Sequence, residues 1–256
     1  MSKIDLIHGD CLVEMQRISD KSVDMVLCDL PYEVLNKSNK YAQWDRLLPF
    51  DRLWGQYERV IKDNGAIVLF AQGMFTAQLM MSNPKLWKYN LIWDKVNRPT
   101  GFLNANRMPL RIHEDICVFY KELPTYNPQF TRGNINHKRG GCGNAVGAGQ
   151  NRCYGDFVQT EVTLTNEKHP LSIISVEKEH TNFYHPTQKP TKLLEWLIYT
   201  YSNEGDTILD NTMGSGSTMV ACVNTKRNGI GIELDDNYFK IAQERVKQAQ
   251  AQLTLF

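Results

Sequence analysis

Seven short apolar runs, separated by stretches of helical period, constrain this chain more than any other feature. The runs are IDLIHG at 4–9, VDMVLC at 23–28, GAIVLFA at 65–71, YNLIWDK at 89–95, EDICVFY at 114–120, TILDN at 207–211 and GIGIEL at 229–234. Runs of this length and type suit buried strands. Helical periods cover about 50–62, 74–82, 190–202, 216–226 and 236–251. The last opens on two aspartates, as a helix N-terminus prefers. Strands separated by helices predict an α/β fold with a mostly parallel sheet and ligands at the C-terminal ends of its strands. Residues 122–183 break the rhythm, with seven glycines between Gly133 and Gly155. They are expected to form an insertion of mobile loops outside the sheet.

At 256 residues the chain is long enough for one large domain carrying an insertion. No apolar run reaches the roughly 18 residues needed to span a bilayer. The start, MSKIDLIHGD, lacks the apolar stretch of a signal peptide, so a cytosolic protein is expected. Cys11, Cys28, Cys117 and Cys222 lie in or beside apolar segments and read as small core residues. Cys142 and Cys153 fall near His137 in the glycine-rich stretch, but no C-x-x-C pair supports a metal site.

The net charge of +1 is no argument for a polyanionic partner, but its distribution is. From Lys95 to His113 the chain carries Lys95, Arg98, Arg107 and Arg111 and no acid. From 123 to 155 it carries Arg132, Lys138, Arg139 and Arg152, again with no acid. Two such stretches in a neutral protein predict a local polyanion surface. Ordinary solvated loops are the alternative on charge alone.

Residues 208–218 read ILDNTMGSGST. An apolar strand ends in Asp210, and a glycine turn then opens a helix. Glycines admit a ligand close to the backbone, and a helix start offers free N–H groups. The next apolar run ends in Glu233, where a carboxylate can accept from ribose hydroxyls. The turn is neither G-x-G-x-x-G nor a P-loop, which favours a nucleoside ligand without a pyrophosphate.

Residues 29–32 read DLPY and follow directly on the run VDMVLC. Pro31 fixes the turn, so the Asp29 carboxylate and the Leu30 carbonyl form two convergent acceptors beside the flat face of Tyr32. That arrangement suits the exocyclic amine of a base. Such an amine is a poor nucleophile because its lone pair is delocalised into the ring. Two acceptors on its N–H bonds free the lone pair, and Asp29 stabilises the positive charge that develops. A ring stacked on Tyr32 is held in line.

Together, DLPY and DNTMGSGST resemble the motifs of the amino-group DNA methyltransferases, usually D-P-P-Y and D-P-F-x-G-S-G-T-T. The catalytic motif precedes the cofactor motif with an irregular segment between them, which resembles the permuted β-class. The resemblance implies a Rossmann-like methyltransferase fold, circularly permuted, with an inserted target recognition region. Residues 1–121 would be the catalytic half, 122–183 the recognition insertion and 184–256 the cofactor half. IHGDC resembles the strand end whose acid, here Asp10, reaches the cofactor adenine, with Cys11 beside it. HPTQKP at 185–190 resembles the segment closing the methionine end, here through Lys189. NLIWDK and HEDICVFYK resemble strands flanking the catalytic half, and YNPQ at 126–129 is similar to a family stretch.

The resemblance implies a site-specific adenine-N6 methyltransferase acting on a base flipped out of double-stranded DNA. S-adenosyl-L-methionine would be held by Asp10, Cys11, Lys189, Asp210, Gly214, Ser215, Gly216, Ser217, Thr218 and Glu233. The catalytic set would be Asp29, Leu30, Pro31 and Tyr32. Lys95, Arg98, Asn104, Asn106, Arg107, Arg132, Lys138, Arg139 and Arg152 are the candidate DNA contacts. No metal is expected. The family often forms homodimers, some members have a cognate restriction enzyme, and their place is the cytoplasm of a bacterial or phage-infected cell. An N4-cytosine enzyme is the nearest alternative, though in this family it more often carries serine at position 29. RNA or protein-amide methylation and an inactive DNA-binding relative complete the alternatives. The chain departs from the family pattern at Leu30, Glu33, Asn211 and Thr212, none of which removes a group the chemistry requires.

Overall fold

Strands whose side chains are apolar on both faces must be covered on both, and the helices provide that cover. A computed structural model describes residues 2–32, 46–135, 165–178 and 188–253. In chain order these form β1 (Ile4–His8), α1 (Cys11–Glu14), β2 (Val23–Cys28), α2 (Phe50–Val60), β3 (Ile61–Ala71), α3 (Met74–Ser82), β4 (Trp87–Asp94) and β5 (His113–Phe119). There follow β6 (Thr131–Arg132), β7 (Glu167–Lys168), β8 (Ile173–Ser175), α4 (Thr191–Tyr201), β9 (Thr207–Asp210), α5 (Ser217–Asn224), β10 (Asn228–Glu233) and α6 (Asp236–Leu253).

The main unit holds residues 1–127 and 172–256. Its eight-stranded sheet runs β1-β10-β9-β2-β3-β5-β4-β8. All neighbours are parallel except β3/β5 and β5/β4, so β5 alone runs against the rest. Along β2, Met25 and Leu27 enter one core while Val26 and Cys28 enter the other, the alternation a strand imposes. The first core is closed by Leu193, Leu194, Leu197 and Ile198 of α4 and by residues of α5 and α6. The second is closed by Leu53, Trp54, Tyr57 and Val60, the buried stripe of α2.

All seven expected strands and all five expected helices are present, with ends shifted by a few residues. The stretch 122–183, expected as an insertion, contains residues of both compact units. A second compact unit covers 128–171, where β6 and β7 pair antiparallel and Phe130 packs on His169. Outside it, β8 joins the main sheet beside β4. Asn127 of the YNPQ stretch anchors the end of α4: its backbone N–H donates to the Thr200 carbonyl, and its side chain donates to those of Tyr199 and Ser202. The four described cysteines are free and buried, while Cys142, Cys153 and His137 lie outside the described residues. Among the described residues no helix is long and apolar enough to cross a membrane.

Candidate active site

β2 and β9 lie side by side at the centre of the sheet, and the chain leaves them toward opposite edges. A crevice opens at the C-terminal side of such a switch point. Here it is a cavity of about 840 Å³. Gly9–Cys11 after β1, Asp29–Tyr32 after β2, Asp210–Ser215 at and after β9 and Glu233–Asp235 at and after β10 all line it. Lys95 enters from the end of β4, which runs with these strands. Glu114 enters from the start of β5, because an antiparallel strand begins where its parallel neighbours end.

The two motif turns are fastened to each other. The Thr212 hydroxyl donates to the Asp29 carbonyl at 3.1 Å and lies 2.9 Å from Cys28 Sγ. The Tyr57 hydroxyl donates to Asn211 Oδ1 at 2.6 Å, fully buried. The two residues that depart from the family pattern in the cofactor motif are thus polar ties between the halves of the site. Among the described residues Asn211 Nδ2 is buried with no partner closer than the neighbouring Cys11 thiol.

At one end of the cavity Glu233 accepts from the Gly214 N–H at 2.8 Å and the Asp235 N–H at 2.7 Å. Asp10 caps α1 through the Leu12 N–H at 2.8 Å. Ser215, Ser217 and Thr218 line the wall with Cys11, but Gly216 does not. Gly216 adopts φ +80°, and a Cβ there would come within 2.8 Å of Ala242 Cβ, so its task is to let α5 pack on α6.

At the other end the Tyr32 hydroxyl donates to Asp29 Oδ1 at 2.5 Å, and its ring stacks on Phe75 with centroids 4.7 Å apart. Asp29 Oδ2 is bonded to Lys189. Lys189, expected at the methionine end of the cofactor, lines the same cavity and is bonded there to the carboxylate of the catalytic turn. Lys95, expected on DNA, is only 1% exposed and pairs with Glu114 at 2.7 Å. A buried, paired ammonium cannot reach a phosphate. Asn104, Asn106 and Arg107 are exposed on the 96–112 loop, Arg98 is half-buried, and Arg132 is exposed in the second unit. Backbone bonds between Thr100 and Arg111, at 2.7 and 3.0 Å, close the base of that loop, and Thr100 lines the cavity. Lys138, Arg139 and Arg152 lie outside the described residues.

One comparison decides which family the chain belongs to. A family model of N6 and N4 methyltransferases, described as DNA methylase, matches residues 23–244. The chain belongs to that family. The Type II methyltransferase M.HpaI of Haemophilus parainfluenzae is 26% identical over 247 residues, 94% of this chain and 73% of its own. The DNA adenine methyltransferase YhdJ of Escherichia coli (strain K12) is 26% identical over 257 residues, 95% of this chain and 83% of its own. Among solved structures, the M1.HpyAVI–SAM complex shares the fold, with a TM-score of 0.62 at 24% identity over 95% of this chain and 98% of its own.

S-adenosyl-L-methionine is the cofactor of this methylase family. The walls fit it. The cavity falls in the size range of small-molecule sites, its strand ends carry acids suited to a sulfonium and to ribose hydroxyls, and the Asn211 amide lines it. Burial raises the Asp210 carboxyl to about 6, against the Thr218 hydroxyl and the Thr212 N–H. Burial also raises Glu233, against the N–H groups of Asp235 and Gly214. Burial raises Asp29, Lys189 opposes it, and Glu114 adds to it. Burial alone would raise Glu114 too, but Lys189 and Lys95 outweigh it and hold that carboxyl at about 2.

The sequence reading missed Glu114, Lys178, Gln188 and Tyr57. The Glu114 signal was available in part, as an acid at the head of an apolar run, but the run does not reveal its own direction.

Proposed function

We propose that this methylase transfers a methyl group from S-adenosyl-L-methionine to the N6 amine of an adenine flipped out of double-stranded DNA. The observation that carries the reading is that DLPY and all of DNTMGSGST but Gly216 line one cavity and that the two turns are bonded to each other there. The choice of adenine is supported by aspartate at position 29 and by the adenine relative YhdJ.

When bound, S-adenosyl-L-methionine supplies an electrophilic methyl group on a sulfonium. Glu233 accepts from the ribose with the lone pairs its two backbone donors leave unused. Asp10, Asp210, Asn211 and the Gly214–Ser215 turn, with Ser217 and Thr218, form the rest of the cofactor wall. Asp29 and the Leu30 carbonyl accept the two N–H bonds of the target amine and draw its lone pair out of conjugation. Asp29 stabilises the charge that builds on the nitrogen. Tyr32 stacks on the base, and Pro31 holds the turn in place.

Extruding a paired base costs a few kcal/mol, which contacts outside the cavity must offset. Arg98, Asn104, Asn106 and Arg107 are placed for this on the loop whose base reaches the cavity. Arg132, Lys138, Arg139 and Arg152 extend the basic surface in sequence, with 122–183 as the recognition region. A second copy of the chain, a cognate restriction enzyme and a bacterial cytoplasm belong to the same reading.

The test expresses the chain in a host without DNA methylation, digests the DNA to nucleosides and weighs the products. N6-methyladenine is expected. N4-methylcytosine alone overturns the base assignment. Methylated RNA or protein with unmodified DNA overturns the substrate class.

A further inference from the structure

Both oxygens of Asp29 are engaged in this structure. Tyr32 holds one oxygen and Lys189 the other. Lone pairs remain on both oxygens, but a target amine arriving at Oδ2 must compete there with the Lys189 ammonium. Lys189 has somewhere to go. Its Nζ is already 3.3 Å from Glu114 Oε2, an oxygen with no closer partner among the described residues. The other Glu114 oxygen is held by Lys95 at 2.7 Å. Lys95, Glu114, Lys189 and Asp29 thus form a chain of alternating charge, and the side chains of the two lysines are only 1% and 7% exposed.

We propose that Lys189 is a transferable counter-ion, resting on Asp29 when no base is present and passing to Glu114 when the target amine takes its place. The inference rests on the methylase reading of the cavity. The total charge of the four groups is unchanged by the exchange, and Asp29, which gives up the Lys189 ammonium, regains a positive partner as charge builds on the amine nitrogen. The move is short, because Lys189 is already within ion-pair distance of both acceptors. Lys189 and Glu114 act on the amine through Asp29 and are positioning residues. Lys189 keeps Asp29 ionised while the site is empty, and Glu114 releases Asp29 by receiving Lys189.

The two roles have opposite signatures. Among the described residues, the groups facing Asp29 besides Lys189 and Glu114 include Tyr32, Cys28, Lys178 and Asp210. Removing the Lys189 charge leaves Asp29 buried among acids, so it takes up a proton at higher pH. Removing the Glu114 charge does the reverse, while leaving Lys189 locked on Asp29.

The experiment measures single-turnover methylation of unmethylated DNA across a pH series. It compares wild type, Lys189→Met, Lys189→Arg, Glu114→Gln and the Lys189→Met/Glu114→Gln double variant, with cofactor affinity by calorimetry as the check on folding. Lys189→Met and Glu114→Gln should each slow transfer on the order of a hundredfold, the scale of a misplaced catalytic group. The acid limb should move to higher pH in Lys189→Met and to lower pH in Glu114→Gln. Lys189→Arg should return it to the wild-type position. The double variant should be no slower than Lys189→Met, since Glu114 acts through the lysine. Limbs that stay in place or move together, or losses that multiply in the double variant, overturn the exchange. If Lys189→Met fails to bind cofactor, the Glu114→Gln and Lys189→Arg limbs decide alone. A wild-type chain that methylates no DNA overturns the methylase reading and the exchange with it. A wild-type chain that methylates DNA while the limbs disobey overturns the exchange alone.

Discussion

The Thr212 hydroxyl reaches the Asp29 carbonyl at 3.1 Å, closing a separation of 183 residues with one bond. It sets the spacing between the turn that presents the carboxylate and the turn that lines the cofactor wall. Thr212→Val keeps the shape and removes the donor. A neutral hydrogen bond contributes about 0.5–1.5 kcal/mol to stability. The greater effect should fall on the rate, because the Asp29 turn loses its tether. Single-turnover methylation should slow while cofactor affinity, read by calorimetry, stays within about twofold. An unchanged rate would mean that Pro31 alone holds the turn.

Glu233→Ala should act on the cofactor instead. The carboxylate organises the Gly214 and Asp235 N–H groups and faces the cavity. Hydrogen bonds to charged groups contribute about 1.5–3 kcal/mol, so affinity should fall on the order of tenfold to a hundredfold. Calorimetry giving wild-type affinity would contradict the placement. Glu233→Gln should lose less than Glu233→Ala if part of the effect is the loop, since an amide oxygen still accepts.

Much of this was legible because a buried parallel sheet writes itself as apolar runs, and its site lies where those runs end. Asp29, Asp210 and Glu233 each terminate or follow such a run, and all three line the cavity. Strand direction and burial of charge were not legible. Lys95 reads as one of four cations in an acid-free stretch, yet it is buried because β5 runs backwards and brings Glu114 to meet it. The pairing of Lys189 was hidden for the same reason, since its partners come from β5 and from the turn after β2. The three residues of β8 are too few to show a period, and only their pairing with β4 makes them a strand. The polar ties at Asn211 and Thr212 depend on partners 154 and 183 residues away.

Lys95→Met should destabilise the fold rather than weaken DNA binding. Its ammonium neutralises a carboxylate that Lys189 and Lys178 also face. Breaking a buried pair from one side costs about 3–5 kcal/mol. Chemical denaturation should show that loss. The Glu114 carboxyl lies at about 2 in the folded chain against 4.5 ordinarily. Its contribution is therefore fully present above 4.5 and is lost as the pH falls toward 2. Lys95→Met should shrink that acid-dependent part. Wild-type stability with weakened DNA affinity would return Lys95 to the DNA surface.

Asp29→Ala should abolish methyl transfer and leave cofactor binding in place, because Asp29 stands at the end of the cavity away from Glu233 and Asp10. Asp29→Asn separates charge from shape. It keeps an acceptor oxygen but cannot offset positive charge on the amine, so it should also fall by orders of magnitude. In the wild type, burial raises the Asp29 carboxyl above its ordinary 3.8, against Lys189. The ionised form is the competent acceptor, so the rate should be full at higher pH and fall as the pH drops through that raised value. Cofactor saturation, checked at each pH, keeps the titration of Glu233 out of the comparison. About a tenth of the wild-type rate remaining in Asp29→Ala, or an acid limb that survives in Asp29→Asn, would assign both the chemistry and the titration to another group.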